Sequence, residues 1–127
     1  MNEPRISASE SAGREILNEF DEAMMELYRR AKVECNYSAT GFLDMLHEHG
    51  GIDTAHILLC GDAPQYGFTR LWGCKRLDLT VECLVLSPKF RSLFQDDELE
   101  TARQRLRNHH FNPDKCEQDS RHTSEDQ

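Results

Sequence analysis

Long apolar runs are missing from this sequence. Ile57–Cys60 spans only four residues, against the roughly 20 that a membrane helix needs, so no transmembrane segment and no membrane partner are expected. An N-terminal apolar segment is missing too. Met1–Gly13 is polar, so no secretory signal is expected there. Basic charge is in deficit: 15 Lys+Arg stand against 23 Asp+Glu, for a net −8. A field of that sign repels phosphate, which disfavours a polyanion binder built from the whole chain. No C-x-x-C occurs, and Gly50-Gly51 lacks the lysine of a phosphate-binding loop, so it reads as a helix stop.

What remains is one domain's length, 127 residues, with 38% hydrophobic and 30% charged residues. A chain of this size can bury roughly two thirds of its unfolded surface, so a real core is expected. The charge is uneven. Residues 15–26 carry five acids and no base, whereas residues 70–91 carry five bases against two acids. Residues 1–13 read as a flexible N-terminal tail, 14–111 as a single helical domain, and 112–127 as an acidic, disordered C-terminal tail. The five cysteines are Cys35, Cys60, Cys74, Cys83 and Cys116. Their odd count and the absence of a signal predict reduced thiols in the cytoplasm, four of them packed as small hydrophobes.

Helical periodicity dominates. Ile16, Phe20, Met24, Leu27, Tyr28 and Ala31 recur at steps of three and four, an amphipathic stripe of about five turns. Acids come early and bases late, matching the helix dipole. This helix is predicted to end near Cys35, with Asn36 in the left-handed cap position. Ser38 is expected to cap a second helix stopped by Gly50-Gly51, and Asp53 a short third one with Ile52 and Ile57 as a hydrophobic staple, ended by Gly61. Asp62-Ala63-Pro64 reads as a loop, and Gly67–Lys75 as one or two helical turns. Leu77–Leu86 alternates like a strand but has no partner strand to satisfy its backbone, so it is read as a buried helix capped by Asp78. Ser87-Pro88 starts a short helix through Phe90, Leu93 and Phe94. Asp96 or Asp97 caps the last helix, whose stripe is Leu99, Ala102 and Leu106. The fold class predicted is all-α: a compact bundle of six or seven short helices around a long N-terminal helix.

Three strings carry a resemblance: YGFTRLWGCKRLDLTVECLVL at Tyr66–Leu86, AKVECNYSATGFLDMLHEHGG at Ala31–Gly51, and ELETARQRL at Glu98–Leu106. Over about residues 20–110 the chain resembles a family of small bacterial proteins of unknown function. Its members share a G-Y-N-A-T-x-F-type segment, then G-F/Y-T-x-L-W and R-L-D-L-T-V-E. The resemblance implies an all-helical domain and supplies no catalytic residue. The chain departs from it at Asn36-Tyr37-Ser38, at Gly73-Cys74-Lys75 and at Cys83.

Four kinds of chemistry are worth weighing. His47, His49, His56 and Cys60 are close in sequence, but His47 and His49 point about 200° apart on a helix, and no paired-cysteine spacing supports zinc. Asp78 and Glu82 are four apart and could share a cleft, hold a divalent cation or exchange a proton. The plainer alternative makes Asp78 a cap and gives a buried Glu82 a partner such as Arg76 or Arg103, because burial without one is costly. Arg70, Lys75, Arg76, Lys89 and Arg91, interleaved with Trp72 and Phe90, suggest a nucleic-acid footprint. Its alternative makes Trp72 a core anchor and pairs the bases with acids. Cys74 beside Lys75-Arg76 has the setting of a lowered thiol pKa but no histidine placed to activate it. The expected protein is therefore a cytoplasmic, non-catalytic protein-interaction or accessory domain without metal or cofactor. Its candidate binding residues are Arg70, Trp72, Arg76, Asp78, Glu82 and Arg91. A nucleic-acid-associated module and a metal-dependent hydrolase are the alternatives.

Overall fold

A computed structural model describes residues 8–61 and 66–118. Six α-helices follow in order: α1 (Ala8–Cys35), α2 (Thr40–Cys60), α3 (Tyr66–Gly73), α4 (Val81–Val85), α5 (Asp96–Asn108) and α6 (Asp114–Glu117). Single 3-10 turns at Leu77–Leu79 and Arg91–Leu93 join them. No strand occurs among the described residues, so the fold is all-α; Leu77–Leu86 is not a strand, but instead of the one helix expected it is a 3-10 turn and the short α4 separated by an extended Thr80. No described helix is long and apolar enough to cross a membrane. The loop expected at Asp62-Ala63-Pro64 lies outside the described residues.

The stripe of α1 is buried as its spacing demands: Phe20 and Met24 are fully enclosed and Ala31 nearly so. Phe20 meets Phe90 and Phe94 at ring-centroid distances of 5.1 and 5.5 Å. The innermost element is α4, which touches α1, α2, α5 and α6. Only five residues long, it owes its helical state to this surrounding packing rather than to propensity. Val85, Leu86, Ala102 and Leu106 complete the centre.

Several helix ends differ from expectation. α1 ends as predicted: Asn36 is left-handed, φ 54°, and the Tyr37 N–H donates to the Ala31 carbonyl at 3.1 Å. Ser38 does not cap α2. The cap position is Ala39, without a side-chain bond, and the Ser38 carbonyl accepts from the Thr40 N–H instead. The helical run of α2 is interrupted at its glycines as expected, so Thr40–Cys60 is two helical segments meeting at a kink. Gly50 takes φ 84°, ψ 173°, a conformation L side chains rarely adopt. The restarting turn is capped across the bundle, since the Gly51 N–H donates to the Asp21 carboxylate of α1 at 2.8 Å. Asp53 is therefore not the cap. A Cβ on Gly51 would sit 2.5 Å from that carboxylate and 3.2 Å from the Asp21 Cα. Gly51→Ala is expected to cost about 1–3 kcal/mol through this overpacking, measurable by urea unfolding. Thr80, not Asp78, caps α4: its hydroxyl accepts from the Cys83 N–H at 3.1 Å and donates to the Leu77 carbonyl at 2.7 Å. Gln95 holds the cap position of α5, where Glu98 reaches back to the Gln95 N–H at 3.0 Å.

The domain also extends beyond the expected limits. α1 already begins at Ala8. At the other end, residues 112–118 are not a tail. Cys116 of α6 is buried in the core and bonded to Cys83, while Glu117 pairs with Arg103 at 2.9 Å. The expectation of reduced thiols is corrected at two places, because Cys35 is likewise bonded to Cys74. Spacing along the chain could not show this. The partners are 39 and 33 residues apart and meet only when the helix ends converge. Cys60 is free and exposed.

Candidate functional site

A pocket of about 440 Å³ opens between α1, α2 and α3. The register of each helix supplies its walls. Leu27, Tyr28 and Ala31 come from α1, Phe42, Met45 and Leu58 from α2, and Gly67, Phe68 and Leu71 from α3. Leu79, Thr80, Val81 and Glu82 close one side. The exposed residues Ser38, Thr40 and Gly41 mark its mouth. These walls are mainly apolar. Among the described residues Glu82 is their one carboxylate.

Glu82 is held by an arginine that the sequence did not single out as its partner. Arg105 Nη1 donates to Glu82 Oε2 at 2.8 Å, with both side chains nearly fully buried. The same guanidinium donates to the Leu58 carbonyl at 2.9 Å and the Gly61 carbonyl at 2.7 Å. One side chain thus satisfies the C-terminal carbonyls of α2 and neutralises a carboxylate on α4. Burial pushes the Glu82 carboxyl above its ordinary value, and the hydrogen bond from Arg105 pulls it partly back. Neither Arg76 nor Arg103 is its partner. Arg105 is buried, whereas Arg107 on the same helix is exposed. The available signal was the position of Arg105 three residues after Ala102, on the edge of the apolar stripe.

The other candidate residues are dispersed. Asp78 is exposed and holds Arg76 at 3.0 Å; it lies outside the pocket wall that contains Glu82, so the two carboxylates do not form a pair. Arg76 also binds Glu34, whose carboxyl is held down to about 2 by Arg30 and Arg76. Arg70 lies over the Tyr37 ring at 4.8 Å. Arg91 approaches Glu117 at 3.7 Å, and Lys89 approaches Glu19 at 3.3 Å. Glu19 and Glu34 are both on α1, about 22 Å apart at the helical rise. The basic residues of 70–91 therefore do not share one face. Trp72 is not the core anchor, being 46% exposed. His56 is bonded to Glu98, and among the described residues no three His, Cys, Asp or Glu side chains form a metal-binding group. Cys74 is spent in a disulfide.

This arrangement can bind an apolar group and orient it against one compensated carboxylate. The Thr80 hydroxyl in the same wall is already engaged as donor and acceptor. No family model, curated protein or solved structure matches the chain.

Proposed function

We propose that this protein is a non-catalytic protein-interaction domain, and that an apolar side chain of its partner enters the pocket between α1, α2 and α3. The observation that carries this reading is an open, apolar-walled pocket in which Glu82, the one carboxylate among the described lining residues, is already matched by Arg105. Its size falls within the roughly 300–1,000 Å³ of ligand pockets, and a few fixed polar groups amid apolar walls are what such sites use for orientation. Nucleic-acid binding and metal-dependent hydrolysis draw less support, since the bases do not share one face and exposed Asp78 lies outside the wall that holds Glu82. Kinship with the small bacterial helical family is part of the proposal and rests on Arg76–Glu82. The cytoplasmic location expected from the sequence suits reduced thiols, whereas the two disulfides suit an oxidising compartment.

Gly41→Phe tests the reading. A Cβ at Gly41 meets nothing within 4 Å, so the ring has room to fill the mouth. Glycine is also the poorest helix former after proline, so the fold is expected to hold or gain slightly. In a pull-down from nuclease-treated lysate, wild-type protein is expected to retain a partner that Gly41→Phe loses. Equal capture by both, or capture that vanishes with nuclease, would overturn the proposal.

A further inference from the structure

Away from that pocket, the C-terminal ends of α3 and α5 meet at a second cleft of about 520 Å³. Both helices end in the same backbone motif. Lys75 follows α3 with φ 63°, and the Arg76 N–H returns to the Leu71 carbonyl at 2.8 Å. His110 follows α5 with φ 63°, and the Phe111 N–H returns to the Leu106 carbonyl at 2.9 Å. Glycine usually fills this left-handed position, because a Cβ there carries a steric cost. Here a lysine and a histidine fill it, and both line the same cleft.

Trp72, the protein's single tryptophan, lines the cleft with nearly half its surface exposed. His109 braces it: the two rings meet edge-on at 4.9 Å. His109 is itself fixed, its Nδ1–H donating to the Arg105 carbonyl at 2.9 Å and its ring meeting Phe68 at 4.9 Å. Gly73, Leu77 and Phe111 complete the lining, and among the described residues no acidic one contributes to it. Among the described residues Lys75 has no ion pair, although most other basic side chains of this acidic protein have one. Carbonyls at both helix ends already accept backbone N–H groups, which leaves the side-chain donors of Lys75 and His110 for a ligand.

We propose that this cleft binds a small planar aromatic anion, its ring stacked on Trp72 and its carboxylate or phosphate held by Lys75 and His110. Aromatic stacking supplies affinity that tolerates variation in the ring, and the charge-assisted donors select the anion. A polymeric anion fits less well, because the surrounding chain carries net −8.

Trp72 is itself the probe. The full-length protein would be titrated with phenyl phosphate and with benzoate while Trp72 fluorescence is followed. Benzyl alcohol serves as the ring without charge, and inorganic phosphate as the charge without ring. A saturable change is expected with at least one aromatic anion, and weaker binding of both half-ligands. Lys75→Gly removes the ammonium and relieves the left-handed backbone, so it is expected to fold, yet to bind at least about tenfold more weakly. His110→Gly is expected to weaken binding in the same direction. Gly41→Phe, in the other pocket, is expected to leave it unchanged. No saturable change at millimolar aromatic anion would overturn the proposal. So would benzyl alcohol binding as tightly as the anions, or Lys75→Gly binding as well as wild type.

Discussion

Arg105→Met is expected to destabilise the domain by about 3–5 kcal/mol at neutral pH, the usual consequence of stranding a buried charge. Met fills a similar volume, so the loss reports charge rather than a cavity. Arg105 gives up three contacts at once, to Glu82, the Leu58 carbonyl and the Gly61 carbonyl. The deficit should depend on pH in a defined direction. Glu82 has a folded pKa raised above its ordinary value of 4.5 by burial. A carboxyl of this kind stabilises the fold most below its unfolded pKa, and the benefit is lost as pH rises through the folded value. Removing Arg105 raises the folded value further. The Arg105→Met deficit is therefore largest near neutrality and shrinks as pH falls toward about 4. The two stranded carbonyls keep a residue of about 1–3 kcal/mol at any pH. Glu82→Gln in the Arg105→Met background should recover part of the neutral-pH loss. Urea unfolding of wild type, Arg105→Met and the double variant at two pH values measures all of this. A deficit of equal size at both pH values would show that Glu82 is not the stranded group.

Reduction is expected to have an effect of similar or greater size. The two disulfides close loops of 39 and 33 residues, and loop-closure entropy at those lengths gives about 4 kcal/mol each. Domains of this kind are stable by only about 5–15 kcal/mol, so losing both removes much of the total. Cys116→Ser alone frees α6 from α4 and should lower the melting temperature by about 15 °C or more. Full reduction should leave a chain with much of its helical signal lost at ambient temperature. Alkylation of the unfolded, unreduced protein should label one thiol, Cys60, and all five cysteines after reduction. Five labelled thiols without reductant, or a melting temperature indifferent to dithiothreitol, would contradict the pairing.

The periodicity of α1, the left-handed Asn36 and the absence of a strand at Leu77–Leu86 were all legible in the sequence. Each follows from local causes: side-chain spacing, a residue's tolerance of positive φ, and the absence of a partner strand. The need for a partner at Glu82 was also legible, because a carboxylate inside an apolar segment must find a donor. Which donor was not. Arg76, Arg103 and Arg105 carry the same side chain, and only the crossing of α5 over α4 and the end of α2 brings Arg105 to the carboxylate. The same limit hid both disulfides, the capping of Gly51 by Asp21 across the bundle, and the cleft at Trp72. Local chemistry determined which segments would be helices and which side chains would need partners. Tertiary packing decided the partners, because groups 23 to 47 residues apart meet only once helix ends are fixed against one another.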